Sequence, residues 1–364
     1  MLGFVVPGTS LMMPSYREFR RLLLEQTLRH VVLCGDRAFQ AARVPACILI
    51  VEKTPPLPNH RVQIWSQGTE GQFTRLRTLS PARVQHDPDL RIRAALSEEV
   101  EELLERVAQR GVPLQTAAHV EDGINPGPFR KRLVRRTPVE SAEKRNGGSG
   151  KRSLRLIEGR DFTRYSGPHW SGRYILWAPE QLKQWQRTKP NSVAVLGSLE
   201  RFTVPEKILT RQTADGLVGT LDRNGYCCTN SVHTTRLRTS HGELGIAFLL
   251  GVLNSRLIGF YYRHWFGEKG KLFPQVKVRN LRQVPIPQID LCCPKDVKAR
   301  DELAGAVEEL LSLNARRKAN PAENAQNDAL RRRAEQLEHH VDRIVYDLFA
   351  LSEEDIALVE QEEG

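Results

Sequence analysis

Residues 248–265, FLLGVLNSRLIGFYYRHW, decide how the chain is read. Apolar side chains recur at Leu249, Leu250, Leu253, Leu257, Ile258 and Tyr261, a spacing that predicts one continuous helix set into a core. Asn254 and Ser255 stand in its middle, although both side chains compete for backbone hydrogen bonds and disfavour helix interiors. A charged, aromatic run follows and leads to VRNLRQVPIP, residues 278–287. Its two closing prolines are expected to block further helix or sheet pairing and so to end a domain.

The rest of the chain bounds the answer. Its 364 residues leave room for two domains, and 40% hydrophobic with 27% charged residues describes a soluble globular protein. No apolar run approaches the roughly 18 residues of a membrane span, and no signal-peptide pattern opens the chain. Cys34, Cys47, Cys227, Cys228, Cys292 and Cys293 form no CxxC, and two pairs are adjacent in sequence. That suits neither a zinc site nor a disulfide framework, so reduced thiols in a cytoplasm are expected. The ten histidines are scattered and offer no metal cluster. The net charge of +11 is unevenly held: +3 over residues 1–120, +15 over 121–290 and −7 over 291–364. A basic excess confined to one middle segment is the footprint of a polyanion-binding domain.

Residues 3–7, GFVVP, read as a short buried strand. MPSYREFRRLLLEQT follows as a helix with Pro14 in its first turn and Phe19, Leu22 and Leu23 on one face. LRHVVLCG and ACILIVEKT are two more strands. This is the trailing end of an α/β sheet, because four elements in about fifty residues cannot close a doubly wound one. TPPLPNH marks a boundary, and SEEVEELLERVAQRG is a helix with Ser97 as N-cap and Gly111 as C-cap. Short β-like runs with dense Arg begin near Val120. The GSGK inside SAEKRNGGSGKRS is not a phosphate loop, since Arg145 and Arg152 stand where Gly and Ser or Thr are needed. Two amphipathic stripes, one through Leu303, Val307, Leu310 and Leu311, the other through Leu330, Ala334, Leu337, Val341, Ile344 and Leu348, predict an antiparallel helical hairpin. SEED at residues 352–355 caps a last short helix.

Taken in order, GFVVPGTSLMMPSYREFRRLLLEQTLRHVVLCGDRAFQAARVPACILIVEK, DGINPGPF, LIEGRDFTRYS, EKILTRQTADGLVGTLDRNGYCCTNSVHTTRL, LLGVLNSRLIGFYYR, LRQVPIP and RIVYDLFALSEEDIALVE resemble the C-terminal part of N6-adenine DNA methyltransferases of the TaqI/Eco57I type, a family that includes type IIG-like restriction-modification enzymes. The resemblance implies an α/β remnant, the end of a Rossmann-like methyltransferase sheet, over 1–58. A linker with a helix (59–118), an α+β target-recognition domain (119–290) and a C-terminal helical tail folded as a hairpin (291–364) would follow. In this family the Leu-Asn-Ser helix is a structural element, so Asn254 and Ser255 are expected to bond neighbouring backbone.

The implied partner is double-stranded DNA, with no membrane, and the implied cofactor of the complete enzyme is S-adenosyl-L-methionine. This chain carries neither the FxGxG donor loop nor Asn-Pro-Pro-Tyr. It is therefore expected to bind no donor and to transfer no methyl group alone, the upstream methyltransferase portion being missing. Phe39, in AFQAARVPACIL, matches the segment whose Phe packs on a flipped-out adenine, with a loop Phe plugging the sheet end as the alternative. Arg164, Lys207 and Arg211 are the implied DNA-binding residues, with surface charge pairs as their alternative. The expected function is the recognition portion of a site-specific adenine methyltransferase. Half of a split enzyme and a non-enzymatic subunit of a defence complex stay open beside it. The acidic tail, 291–364, is expected to be dispensable for DNA binding.

Overall fold

In the computed structural model, residues 1–35, 45–68, 70–138, 152–189, 191–214, 216–267, 274–320 and 325–361 are described. Phe39 and most of the GSGK loop lie outside them. The chain forms two units, Met1–Arg106 with His264–Gly267, and Val107–Arg263 with Glu268–Gly364.

Runs of β-branched and leucine residues give the first unit its strands: β1 (Leu2–Pro7), β2 (Thr27–Gly35), β3 (Ala46–Glu52), β4 (Val62–Gln67) and β5 (Phe73–Leu79). They form one sheet in the order β1-β3-β2-β4-β5. β3 runs antiparallel to both neighbours, so β1 and β2 point the same way across it, joined by the helix Arg17–Leu24. β4 then pairs parallel with β2. Val31 sits between Leu49 and Ile64, and all three are fully buried. The expected boundary after residue 58 falls inside this sheet, because β4 and β5 complete it and cover apolar surface that the first three strands cannot. The helix buries Leu23 and Leu24 and leaves Leu22 at 55% exposure. Its buried face is completed by Arg20, whose guanidinium donates to the carbonyls of Ser10, Met13 and Asp89.

The second unit contains β6 (Gly111–Pro113), β7 (Ala118–Asp122), β8 (Val134–Arg135), β9 (Arg152–Ile157), β10 (Arg173–Trp177), β11 (Lys207–Arg211), β12 (Gly219–Asp222), β13 (Cys227–Cys228), β14 (Val232–Leu237) and β15 (Pro285–Pro287). Two four-stranded sheets, β12-β11-β14-β7 and β13-β9-β10-β8, lie beside the short pair β15-β6. Two expectations change at that pair. Pro-Ile-Pro does form a strand, with Ile286 opposite Val112, because the central residue keeps its N–H while all three residues keep their carbonyls. Gly111 starts β6 and is no left-handed cap; a Cβ there would lie 2.6 Å from the Pro285 side chain.

The opening stretch is two helices, Ile246–Asn254 and Arg256–Trp265, broken at Ser255 with φ −63° and ψ 153°. The Asn254 amide reaches the backbone of Gly219: Oδ1 accepts from its N–H at 2.8 Å and Nδ2 donates to its carbonyl at 3.0 Å. Ser255 Oγ donates to the Val252 carbonyl and accepts from the Ile258 N–H, closing one helix and starting the next. Both residues therefore bond backbone as expected, but the continuous helix does not exist, because these bonds hold Ser255 in an extended conformation.

The helices Pro294–Ala319 and Ala325–Leu348 form the hairpin, and Ser352 with Asp355 makes a capping box for Glu353–Glu360. Leu313, not Leu311, completes the buried stripe of the first of these helices. The hairpin is part of the second unit: Leu303 and Val307 lie against Gly251, and the Asp342 carboxylate accepts from the Arg256 N–H at 2.8 Å. Residues 291–364 therefore cover the wholly buried helix Ile246–Asn254, and removing them would expose it.

Asn254→Ala is predicted to leave the buried Gly219 N–H without its partner, costing about 1–3 kcal/mol. Asn254→Asp turns a second acceptor toward the Gly219 carbonyl and costs at least as much. Denaturant unfolding of both variants checks this; a wild-type midpoint in either contradicts it.

Candidate nucleic-acid interface

Two kinds of arginine occur on the second unit. The first kind is exposed and has no carboxylate beside it among the described residues, though Arg135 donates to the Arg132 carbonyl and Arg155 to that of Asn224. Register places Arg135, Tyr174 and Arg155 side by side across β8, β10 and β9. Adjacent strands lie about 4.8 Å apart, so the two arginines are separated by roughly 10 Å. Arg155 also covers the Tyr226 ring at 4.7 Å, and Trp170 meets Tyr174 edge-on at 5.0 Å. Arg135 and Arg155 are exposed, and neither meets a carboxylate among the described residues. Open guanidinium groups of this kind attract phosphates and release counterions on binding.

The second kind is tied down. Where β9 ends, Glu158 accepts hydrogen bonds from Arg130 and Arg173, and Arg160 lies 3.2 Å from its Oε2. Arg173 also binds Asp161 at 2.8 Å. Glu158 and Asp161 lock the intervening turn, each accepting from the other's backbone N–H. Burial alone would raise the Glu158 carboxyl, but the hydrogen bonds and charges of Arg130 and Arg173 outweigh it and hold the group below the usual carboxylate range. Resemblance alone did not single this cluster out. Its signal was the acid pair around Gly159-Arg160, three residues apart, in a stretch otherwise rich in Arg.

The residues implied by the resemblance are placed differently. Lys207 is fully buried, its ammonium paired with the equally buried Asp222 and donating to the Phe202 carbonyl at 2.7 Å. Asp222 in turn accepts from the N–H groups of Asn224 and Tyr226, shaping the turn into β13. Lys207 is thus a core ion pair and cannot reach DNA. Arg211 is half-buried, donates to the Phe162 carbonyl and lies over the Phe162 ring, and burial lowers its guanidinium below the ordinary value. Arg164 faces Glu338 of the hairpin at 3.7 Å. Each of the three has an internal contact, and only that of Arg164 is the surface charge pair set out as the alternative. No group of His, Cys, Asp and Glu suited to a metal occurs among the described residues. None of their helices is long and apolar enough to cross a membrane.

Residues 154–286 match the TaqI-like C-terminal specificity domain. That span runs from β9 to β15, and it holds the Glu158 turn and Arg155. The fold is similar to that of the type IIL restriction-modification enzyme MmeI, solved in complex with DNA, with a TM-score of 0.53 at 11% identity, covering 99% of this chain and 49% of that one. A weaker likeness, TM-score 0.36 at 10% identity over 94% of this chain and 47% of the other, is to the type IIG restriction endonuclease BpuSI. The chain spans about half the length of either enzyme. No curated protein of matching sequence was found.

Lys207→Ala is predicted to strand the Asp222 charge in the core and cost about 3–5 kcal/mol. The salt dependence of DNA binding by the fraction that remains folded should not change. A variant of wild-type melting temperature but shallower salt dependence would return Lys207 to the interface.

Proposed function

We propose that this chain is the sequence-recognition portion of a site-specific adenine-N6 DNA methyltransferase or restriction-modification protein, and that it is inactive alone. The observation that carries the reading is the coincidence of the specificity-domain match with the segment that holds the +15 charge. The open arginines of β8 and β9 supply affinity for the duplex backbone, which needs no sequence information. S-adenosyl-L-methionine belongs to the reading only through the family. The residues present do not fit it, since the chain has neither donor loop nor Asn-Pro-Pro-Tyr, and no step through it is assigned to this chain.

A second reading, in which the chain works with a separate donor-binding fragment, is supported by β1. This strand ends the five-stranded sheet, no described strand pairs with its outer edge, and Leu2 and Val5 are more than half exposed. An unpaired apolar edge is a ready place for another strand. In that reading Phe39 faces the extruded adenine. Phe39→Ala in the reconstituted enzyme then weakens 2-aminopurine fluorescence at the target position and slows methylation, with donor affinity unchanged. Wild-type values for both would remove Phe39 from the site.

The main test is titration of the full chain with a random-sequence 20-bp duplex at increasing salt. Log affinity should fall linearly with log salt, and Arg135→Ala and Arg155→Ala should each reduce the slope by about one. Absent binding at low salt, or a flat dependence, contradicts the reading.

A further inference from the structure

Glu158 gathers three guanidinium groups, and they do not end alike. Arg173 is 9% exposed and spends its donors inside, on Glu158, on Asp161 and on Ser171 Oγ. It anchors the turn. Arg130 and Arg160 touch Glu158 through Nη2 alone and keep side-chain exposures of 48% and 72%. Each therefore retains most of its five N–H donors for a ligand.

We propose that Arg130 and Arg160 read sequence, aimed by Glu158 as a positioning residue, and that what they take is the neighbouring acceptor pair, O6 and N7, on a guanine edge. This rests on the DNA-recognition reading above and names its specificity residues.

The argument is one of charge against orientation. An arginine that serves phosphate affinity works through uncompensated charge, and a carboxylate beside it cancels that gain. Glu158 and Asp161 set against Arg130, Arg160 and Arg173 leave a single positive charge over five side chains, a poor phosphate trap. What the carboxylate adds is direction. It restrains one end of a guanidinium before the ligand arrives, so less side-chain freedom is lost on binding. A fixed planar fork suits a bidentate base contact, whereas a phosphate accepts from many angles. The support under Glu158 is itself rigid: its N–H donates to Asp161 at 2.7 Å, and the Gly159 N–H donates to Ser231 Oγ at 3.2 Å. Arg135 and Arg155, which donate to the Arg132 and Asn224 carbonyls and have no carboxylate beside them among the described residues, serve as internal controls.

The experiment selects bound duplexes from a pool with a randomised core, using the full chain, and then compares affinity for the selected site with affinity for a scrambled duplex. Arg130→Ala and Arg160→Ala should each lower the preference for the selected site about tenfold or more, with information lost at a G·C pair. Glu158→Gln should lower the preference similarly while scrambled-duplex affinity holds or rises, because one negative charge is gone. Glu158→Gln combined with Arg130→Ala should lose less than the two changes multiplied, because they break one device. Arg155→Ala should weaken both duplexes alike. Should Glu158→Gln not fold, Arg130→Lys and Arg160→Lys carry the test: they keep the charge, lose the fork, and should lose the preference. The proposal is overturned if Glu158→Gln weakens both duplexes in proportion, or if the Arg130 and Arg160 variants keep the motif and only flatten the salt dependence. Wild-type protein that binds duplex but enriches no motif also overturns it, leaving backbone binding intact. Wild-type protein that does not bind duplex at all overturns the DNA-recognition reading itself.

Discussion

The amide of Asn254 on the backbone of Gly219 is the constraint on which the second unit depends. It joins the end of a wholly buried helix to the first residue of β12, and it satisfies a strand N–H that has no ladder partner. A Cβ at Gly219 would lie 3.0 Å from Asn254 Oδ1, so the glycine is part of the contact. An asparagine suits this place because its amide offers donor and acceptor together on a short side chain without carrying a charge into the core.

Breaking the helix at Ser255 creates a new helix N-terminus inside the protein, and a buried N-terminus needs acceptors. Ser255 Oγ supplies one, and Asp342 supplies another from 86 residues further along the chain. The acidic hairpin is thereby bound into the second unit. Its carboxylates sit where a helix start and two arginines, Arg164 and Arg256, can use them. The negative charge of the tail is thus partly structural, and the basic excess lies in residues 121–290.

Local pattern was enough for what local pattern controls. The strands at 27–35 and 46–52, the amphipathic hairpin, the Ser352 cap and the backbone-bonding role of Asn254 and Ser255 were all legible, since period, cap chemistry and polarity are carried by neighbouring residues. The break at Ser255 was not, because the helix before it is held through Asn254 to Gly219, 35 residues before that asparagine. Lys207 was misread for the same reason: burial depends on Asp222 closing over it across β11 and β12, and no spacing rule marks a lysine as core. The sheet boundary at 58 failed because proline punctuation, TPPLPNH, marks a turn equally well inside a sheet as between domains. The arginines proposed to read sequence were hidden by abundance. They stand among 29 basic residues in 121–290, and what marks Arg130 and Arg160 is that they share one carboxylate, Glu158, with the buried Arg173.

On the proposed reading, affinity and discrimination fall to different chemistry on one scaffold, charge without a carboxylate partner on the β8–β10 strands and charge paired with Glu158 at its turn, both held by a core pinned at Asn254. Amide hydrogen exchange of the full chain, with and without a random-sequence duplex, tests that account most directly. It predicts that the Gly219 amide is among the slowest to exchange in either state, and that the duplex adds protection around residues 130–135, 152–161 and 170–174. A Gly219 amide exchanging as fast as loop amides, or duplex-induced protection confined to the hairpin or to residues 1–106, would contradict it.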